Sequence, residues 1–421
     1  MKILLKSVKI IDINSKHHEQ VMDVLLKEGK IEKIGKAIKE TVSKTIEAKG
    51  LCLSPGFVDL HANFGEPGFE HREDIQSGLN TAMKGGFTRV CVMPSTNPCI
   101  QDKQGVQFLK QKSAKHPVHL EVIGAMSVGR EGKDLTEMYD MQQAGAIAFS
   151  DVLNSVQDAG LLSRSLLYSK GIQSFVINFP QDKSIANKGT MNEGQMSTTL
   201  GLKGNPTLAE DIMVSRDLFL AEYQQAHIHF TQISSGKSVE LIRAAKKRGV
   251  KVTADVSIHH LVYDDRMLED FDSNFKLQPP LRSKEDVKAL LQGLKDGSID
   301  AISSAHTPIE VEHKNVEFEI AKQGMISLQT LFTQLLKLQN KQMNIAELLD
   351  CISNRARKVL GLEPVCVQES DGAELVLYDA NADWTFDQKS NSSKSRNSNL
   401  FNTTLKGKIK GVYSKGQFQS V

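Results

Sequence analysis

Eight short strand-like runs, separated by helical patterns and all lying between residues 57 and 303, leave this chain few possible folds. The runs cover 57–60, 88–93, 118–125, 146–150, 173–177, 227–233, 251–256 and 300–303. Apolar residues at helical spacing fill most of the gaps, at 73–84, 157–168, 208–223, 238–247 and 284–294. Asn344 and Glu347 form a capping-box variant that opens one further helix. The pattern predicts a (β/α)8 TIM-type barrel. A doubly wound sheet is the rival architecture. The count of eight, and a polar residue at the C-terminal end of almost every run, favour the barrel, because barrel chemistry sits at those ends.

The two chain ends read differently. Residues 1–52 and 366–421 carry short alternating strands and turn residues. Neither end has enough strands to bury a core alone. The expected organisation is therefore a small β-sandwich built from 1–52 together with 366–421, and a barrel over 53–365. Residues 390–399, Ser-Asn-Ser-Ser-Lys-Ser-Arg-Asn-Ser-Asn, read as a polar low-complexity loop.

A formal net charge of +2 gives no reason to expect nucleic acid or an anionic membrane as partner. The basic run Lys246-Lys247-Arg248 reads as a solvated helix C-terminus. Cys52, Cys91, Cys99, Cys351 and Cys366 are odd in number and widely spaced, as expected of reduced thiols in a cytoplasmic protein. No stretch approaches the roughly 20 apolar residues of a membrane span.

The first run delivers His61 and Asn63 to one face of a strand, two residues apart. A His-x-His pair there would grip a metal from one side. An amide carries no charge and is a poor zinc ligand. The other run ends supply Ser95, Asp151, Asn178, Gln232, His259-His260 and Ala305-His306. His227 and His229 alternate along the sixth run but sit too early for the mouth. His259 and His260 are expected to be structural. Gly201-Leu-Lys-Gly204 could cradle a phosphate, but reads first as a turn.

Longer stretches carry a family resemblance. Pro55-Gly-Phe-Val-Asp-Leu-His61, Glu66-Pro-Gly68, Gly85-Gly-Phe-Thr88 and Ala148-Phe-Ser-Asp151 are four of them. Met191-Asn-Glu-Gly194 and Pro279-Pro-Leu-Arg282 extend the match along nearly the whole chain. The chain resembles dihydroorotase of the amidohydrolase superfamily, in the branch with multifunctional-complex and allantoinase-like relatives. That resemblance implies a zinc site fed by His-x-His, an aspartate and two further histidines, with a catalytic aspartate after the last strand.

Measured against this pattern the chain keeps His61 and Asp151 as metal-site remnants. Asn63, Asn178 and Gln232 stand where the family has histidines, and Ala305 stands for the catalytic aspartate. Gly65, Ser95, Gln278 and Ile309 replace substrate-binding residues. The loss of three ligands compounds to on the order of 10³-fold, and the loss of an acid/base group costs a further factor of roughly 10²–10⁴. The bland alternatives are that Asp151 accepts backbone hydrogen bonds from the loop that follows it, and that His61 is a satisfied core histidine. The resemblance thus points to a catalytically degenerate dihydroorotase-like protein of pyrimidine biosynthesis with no cofactor. Its expected role is a structural partner of aspartate transcarbamoylase, itself a homodimer. The alternative is an active zinc-dependent dihydroorotase, or related cyclic amidohydrolase, with an altered site.

Overall fold

The computed structural model describes residues 2–339, 343–369 and 372–421. Of the expected segments 1–52, 53–365 and 366–421, only residues 1, 340–342 and 370–371 lie outside this description. Eight parallel strands form one sheet in sequence order: Phe57–Ala62, Phe87–Val92, His119–Gly124, Ala146–Ser150, Val176–Asn178, Ile228–Phe230, Val252–Ser257 and Ala301–Ser303. The sheet closes where Ala62 bridges His306 and where the Asn63 amide donates to the His306 carbonyl at 2.8 Å. The arrangement is a TIM-type barrel with its helices outside.

The local reasons are visible in the sequence. Ile75–Lys84 starts at Asp74, whose side chain accepts from the Ser77 amide while Ser77 reciprocates. Asn344 and Glu347 cap Ile345–Cys351 in the same reciprocal way. Val58 and Leu60 of the first barrel strand pack in one buried cluster with Cys91, Ile123, Ala148, Ala356 and Val359. Asp59 bonds Ser304, just past the neighbouring eighth strand, and His61 reaches Thr231 beyond the sixth.

Strands from the two chain ends pair into a second, eight-stranded sheet. Leu375–Phe386 joins Cys52–Pro55 on one side and Thr403–Ser414 on the other, so the last fifty residues complete what the first fifty begin. The Ile3, Leu5, Val24, Leu53, Leu375 and Leu377 side chains form its core. Among the described residues, no helix is long and apolar enough to cross a membrane. All five cysteines are free thiols.

The polar stretch 390–399 is a loop, and a largely buried one. Ser393, Ser395, Asn397 and Ser398 are buried. Ser393 donates to Glu73, and Asn397 donates to the carbonyls of Thr307 and Gly324 at 2.9 and 3.1 Å. Its hydroxyls and amides satisfy barrel-mouth carbonyls that would otherwise be orphaned. The segment is a strap over the barrel mouth.

Candidate functional site

The candidate residues His61, Asn63, Asp151, Asn178 and Gln232 gather at the C-terminal mouth of the barrel, each bonded to a protein partner. His61 is fully buried, and its Nδ1 lies 3.0 Å from the Thr231 hydroxyl. The Gln232 amide nitrogen lies 3.0 Å from His61 Nε2. An amide N–H donated to Nε2 uses the lone pair that a metal would need. Burial holds the imidazole down at about 4, so it is neutral at physiological pH.

Asp151 accepts from the Met126 and Ser127 amides at 3.0 and 2.9 Å and from the Ser127 hydroxyl. Its partners come from the loop after the third strand, not from the loop that follows Asp151 itself. The expectation failed because Asp151 ends its own strand pointing sideways, toward its neighbour. Burial still raises its carboxyl above the usual range despite these donors. Asn178 donates to Asp217 at 2.6 Å. Asp217 is buried and pushed up to about 6 by desolvation. Asn63 donates to the Thr307 hydroxyl at 3.0 Å and to the His306 carbonyl at 3.3 Å, while Ser95 donates to its side-chain oxygen.

Two of these positions keep an unusual backbone. Gln232 (φ 58°) and Ala305 (φ 51°) both sit in the left-handed region. Such residues cost on the order of 1–3 kcal/mol each and persist only where the surroundings over-determine them. At Gln232 the fixing contact is its own amide donating to Asp255 at 3.1 Å.

The substrate-binding positions are closed as well. A Cβ on Gly65 would run into the Phe69 carbonyl, because the Phe69 amide folds back to the Gly65 carbonyl at 2.6 Å. A side chain of any length is therefore excluded from this turn. Gln278 is bonded to Gln181 at 3.1 Å, and Ile309 is buried at the mouth. Leu153 lines both the outer cavity of about 230 Å³ and the inner one of about 20 Å³ beside Gln232, His259 and Ala305. The inner space holds about one water.

Several residues that matter here were not singled out from sequence. Thr231 fixes the His61 ring. Asp255 takes His229 Nε2 at 2.9 Å and the Ser303 hydroxyl at 2.6 Å, one layer beneath the mouth. Asp59, pushed up to about 7 by burial, accepts from the Ser304 amide and hydroxyl, each at 2.6 Å. The available signal was an acidic residue inside an otherwise apolar strand, in Phe-Val-Asp59-Leu and in Thr-Ala-Asp255-Val. His260 bonds the Pro279 and Pro280 carbonyls at 3.2 Å. His227 shares the Thr253 hydroxyl with His229. Gly201 ends a helix in the left-handed conformation, as a turn would.

Comparison with known proteins decides the ancestry. The chain is 40% identical over 404 residues to the dihydroorotase of Ruminiclostridium cellulolyticum, covering 94% of each chain. The chain belongs to the dihydroorotase family. The dihydroorotase of Syntrophus aciditrophicus is 39% identical over 97% of both chains. A family profile described as Dihydro-orotase-like matches residues 50–238. In fold the chain superimposes on an L-hydantoinase (dihydropyrimidinase) from Arthrobacter aurescens, with TM-score 0.88 at 20% identity, covering 99% of this chain and 96% of that one. A Thermus D-hydantoinase gives 0.84 at 21% identity, over 100% and 96%.

Membership in the dihydroorotase family corrects one expectation. Dihydroorotases and hydantoinases are typically metal-dependent, so a divalent metal, rather than no cofactor, is what the family implies at this mouth. The donor set does not fit a zinc ion. Zinc sites take three or four strong ligands. Among the described residues, no group of three or more His, Cys, Asp or Glu side chains converges in that way. His61 has its ring nitrogens bonded, and Asp151 faces the neighbouring loop.

Proposed function

We propose that this dihydroorotase-family protein of pyrimidine metabolism no longer hydrolyses dihydroorotate. Its role is that of a homodimeric structural partner of aspartate transcarbamoylase. The observation that carries the reading is the Gln232 amide seated 3.0 Å from His61 Nε2, where a coordinating histidine would have opened the site. Three others support it. Ala305 offers no proton-transfer group, the Gly65 turn admits no carboxylate clamp, and Leu153 stands between the outer cavity and the depth of the mouth.

The competing reading is an active cyclic amidohydrolase with an altered site. It draws on the 40% identity over 94% of the chain. It requires a water-activating centre assembled from residues other than those at positions 63, 178, 232 and 305. Complementation separates the two. A host lacking its own dihydroorotase should stay pyrimidine-dependent when it expresses this chain. The full-length chain should also co-elute with aspartate transcarbamoylase from its own source, as a dimer-containing complex. Growth without pyrimidine would refute the loss of turnover, and separate elution would refute the partnership.

A further inference from the structure

The helix Leu208–Gln224 runs along the outside of the barrel, between the helices Ala159–Gly171 and Gly236–Lys247. Its Ala209, Met213, Val214, Leu218 and Ala221 side chains are buried. The opposite face of such a helix is ordinarily polar. Here it carries Leu208, Ile212, Phe219 and Tyr223, which are 52, 42, 68 and 82% exposed. At 3.6 residues per turn the four fall within about 60° of arc, opposite the buried face, in a stripe about 22 Å long. Exposed apolar residues scattered singly are ordinary; a contiguous stripe marks an interaction surface.

The polar neighbours are turned away from the stripe. Arg216 bonds Asp217 at 2.7 Å and the Val156 and Gln157 carbonyls at 2.8 and 2.7 Å. Glu222 and Arg248 pair at 3.0 Å along one edge, and with Phe219 and Tyr223 they frame a shallow depression. On the other edge Gln224 meets Ser163 and Lys170 at 2.7 and 3.0 Å. Leu167 shares that face of its helix, is 55% exposed, and extends the apolar surface. The stripe is also symmetric about the point between Ser215 and Arg216: Leu208 and Tyr223 lie equally far from it, as do Ile212 and Phe219. A two-fold axis through that point sets Leu208 against the partner's Tyr223 and Ile212 against the partner's Phe219, with the small Ser215 at the closest approach. Such antiparallel helices place the positive end of each dipole beside the negative end of the other. The four side chains expose on the order of 450 Å² on each copy, so roughly 900 Å² over two, where a specific interface buries about 1,200–2,000 Å² in total. Leu167 and the ion-paired rim add to that area.

We propose that the outward face of Leu208–Gln224 binds the same face of a second copy of this chain, the two helices antiparallel about the Ser215–Arg216 midpoint. An apolar centre with a charged rim is the usual anatomy of such a surface. The inference rests on the homodimeric part of the reading above, to which it adds the surface, the orientation and the register.

The test is sedimentation equilibrium of the full-length protein and its variants at micromolar concentration, with circular dichroism to show that each is folded. The unaltered protein should be a dimer. Ile212→Lys and Phe219→Glu each put a lone charge in the apolar centre and should raise the dimer dissociation constant at least about a hundredfold. An equimolar mixture of the two single variants should recover the dimer, because the introduced charges then face each other at one contact while Ile212 and Phe219 meet at the other. Ser215→Cys, a small change at the axis, should be captured as a dimer by a short bis-maleimide beyond the level of the unaltered protein, even if a charge variant misfolds. Dimers as tight in both charge variants as in the unaltered protein would overturn the surface and leave the homodimer standing. A mixture that stays monomeric, or a Ser215→Cys protein that is not captured, would overturn the antiparallel register. A monomeric unaltered protein would overturn both the surface and the homodimer and assign the stripe to a different partner. None of these outcomes touches the loss of hydrolysis, which turnover of dihydroorotate alone would refute.

Discussion

Replacing Asp151 by alanine should unfold the protein more easily, and by the same amount with or without metal. The carboxylate satisfies two buried backbone N–H groups, on Met126 and Ser127, and the Ser127 hydroxyl. Each buried donor left unpaired costs about 1–3 kcal/mol. Part of that is offset, because burial already disfavours the Asp151 carboxylate. The net expectation is a loss of about 2–4 kcal/mol. Asp151→Asn retains an acceptor for the two amides, and Ser127 can reverse its hydroxyl to receive the new amide; its cost should be nearer 1 kcal/mol. Urea unfolding of all three proteins, in zinc and again in a chelator, reads both quantities. A loss below about 0.5 kcal/mol for Asp151→Ala, within the range of ordinary surface changes, would refute the reasoning. So would a loss that disappears on chelation, since that would make Asp151 a ligand rather than a loop anchor.

Other consequences can be checked in the same way. Burial holds His61 and His260 at about 4 and His259 at about 3, so the folded state refuses protons that the unfolded chain takes up near 6.5. Their contribution is complete above pH 6.5 and is lost as pH falls toward 4. Asp59 and Asp217, raised to about 7 and about 6, act in the opposite sense, favouring the fold at low pH and losing that as pH rises through those values. The histidine shifts are the larger sum, so stability should fall between pH 6.5 and 4. His259→Gln should flatten that limb by up to about 4 kcal/mol; an unchanged slope in urea titrations would contradict the assignment. Arg282→Met leaves Glu210 as a buried carboxylate without its counter-charge and takes one of two donors from the Asn205 carbonyl, and should cost about 3–5 kcal/mol in the same assay. Gly65→Ala should cost about 1–3 kcal/mol through the clash with the Phe69 carbonyl; an unaffected variant would show that the turn can open.

The barrel was legible because each strand is a short apolar run and most intervening segments carry a helical stripe. The fifth strand, expected at 173–177, runs Val176–Asn178, and the sixth, expected at 227–233, runs Ile228–Phe230. The changed identities at 63, 178, 232 and 305 were also readable, since a single residue type states them. The partners that these side chains take were not. Thr231 holds His61, Ser127 and Met126 hold Asp151, and Asp217 holds Asn178 through contacts 24 to 170 residues apart in sequence. The burial of the loop at 390–399 was not legible for a related reason. Serine and asparagine mark solvated loops and buried carbonyl caps alike, and only the neighbours distinguish the two uses.

The most direct measurement is dihydroorotate hydrolysis by the purified full-length protein with zinc supplied. A mouth in which Gln232 and Thr231 bond His61, and Ser127 bonds Asp151, should give a rate indistinguishable from the protein-free control. Zinc-dependent turnover that a chelator removes and His61→Ala abolishes would contradict the account.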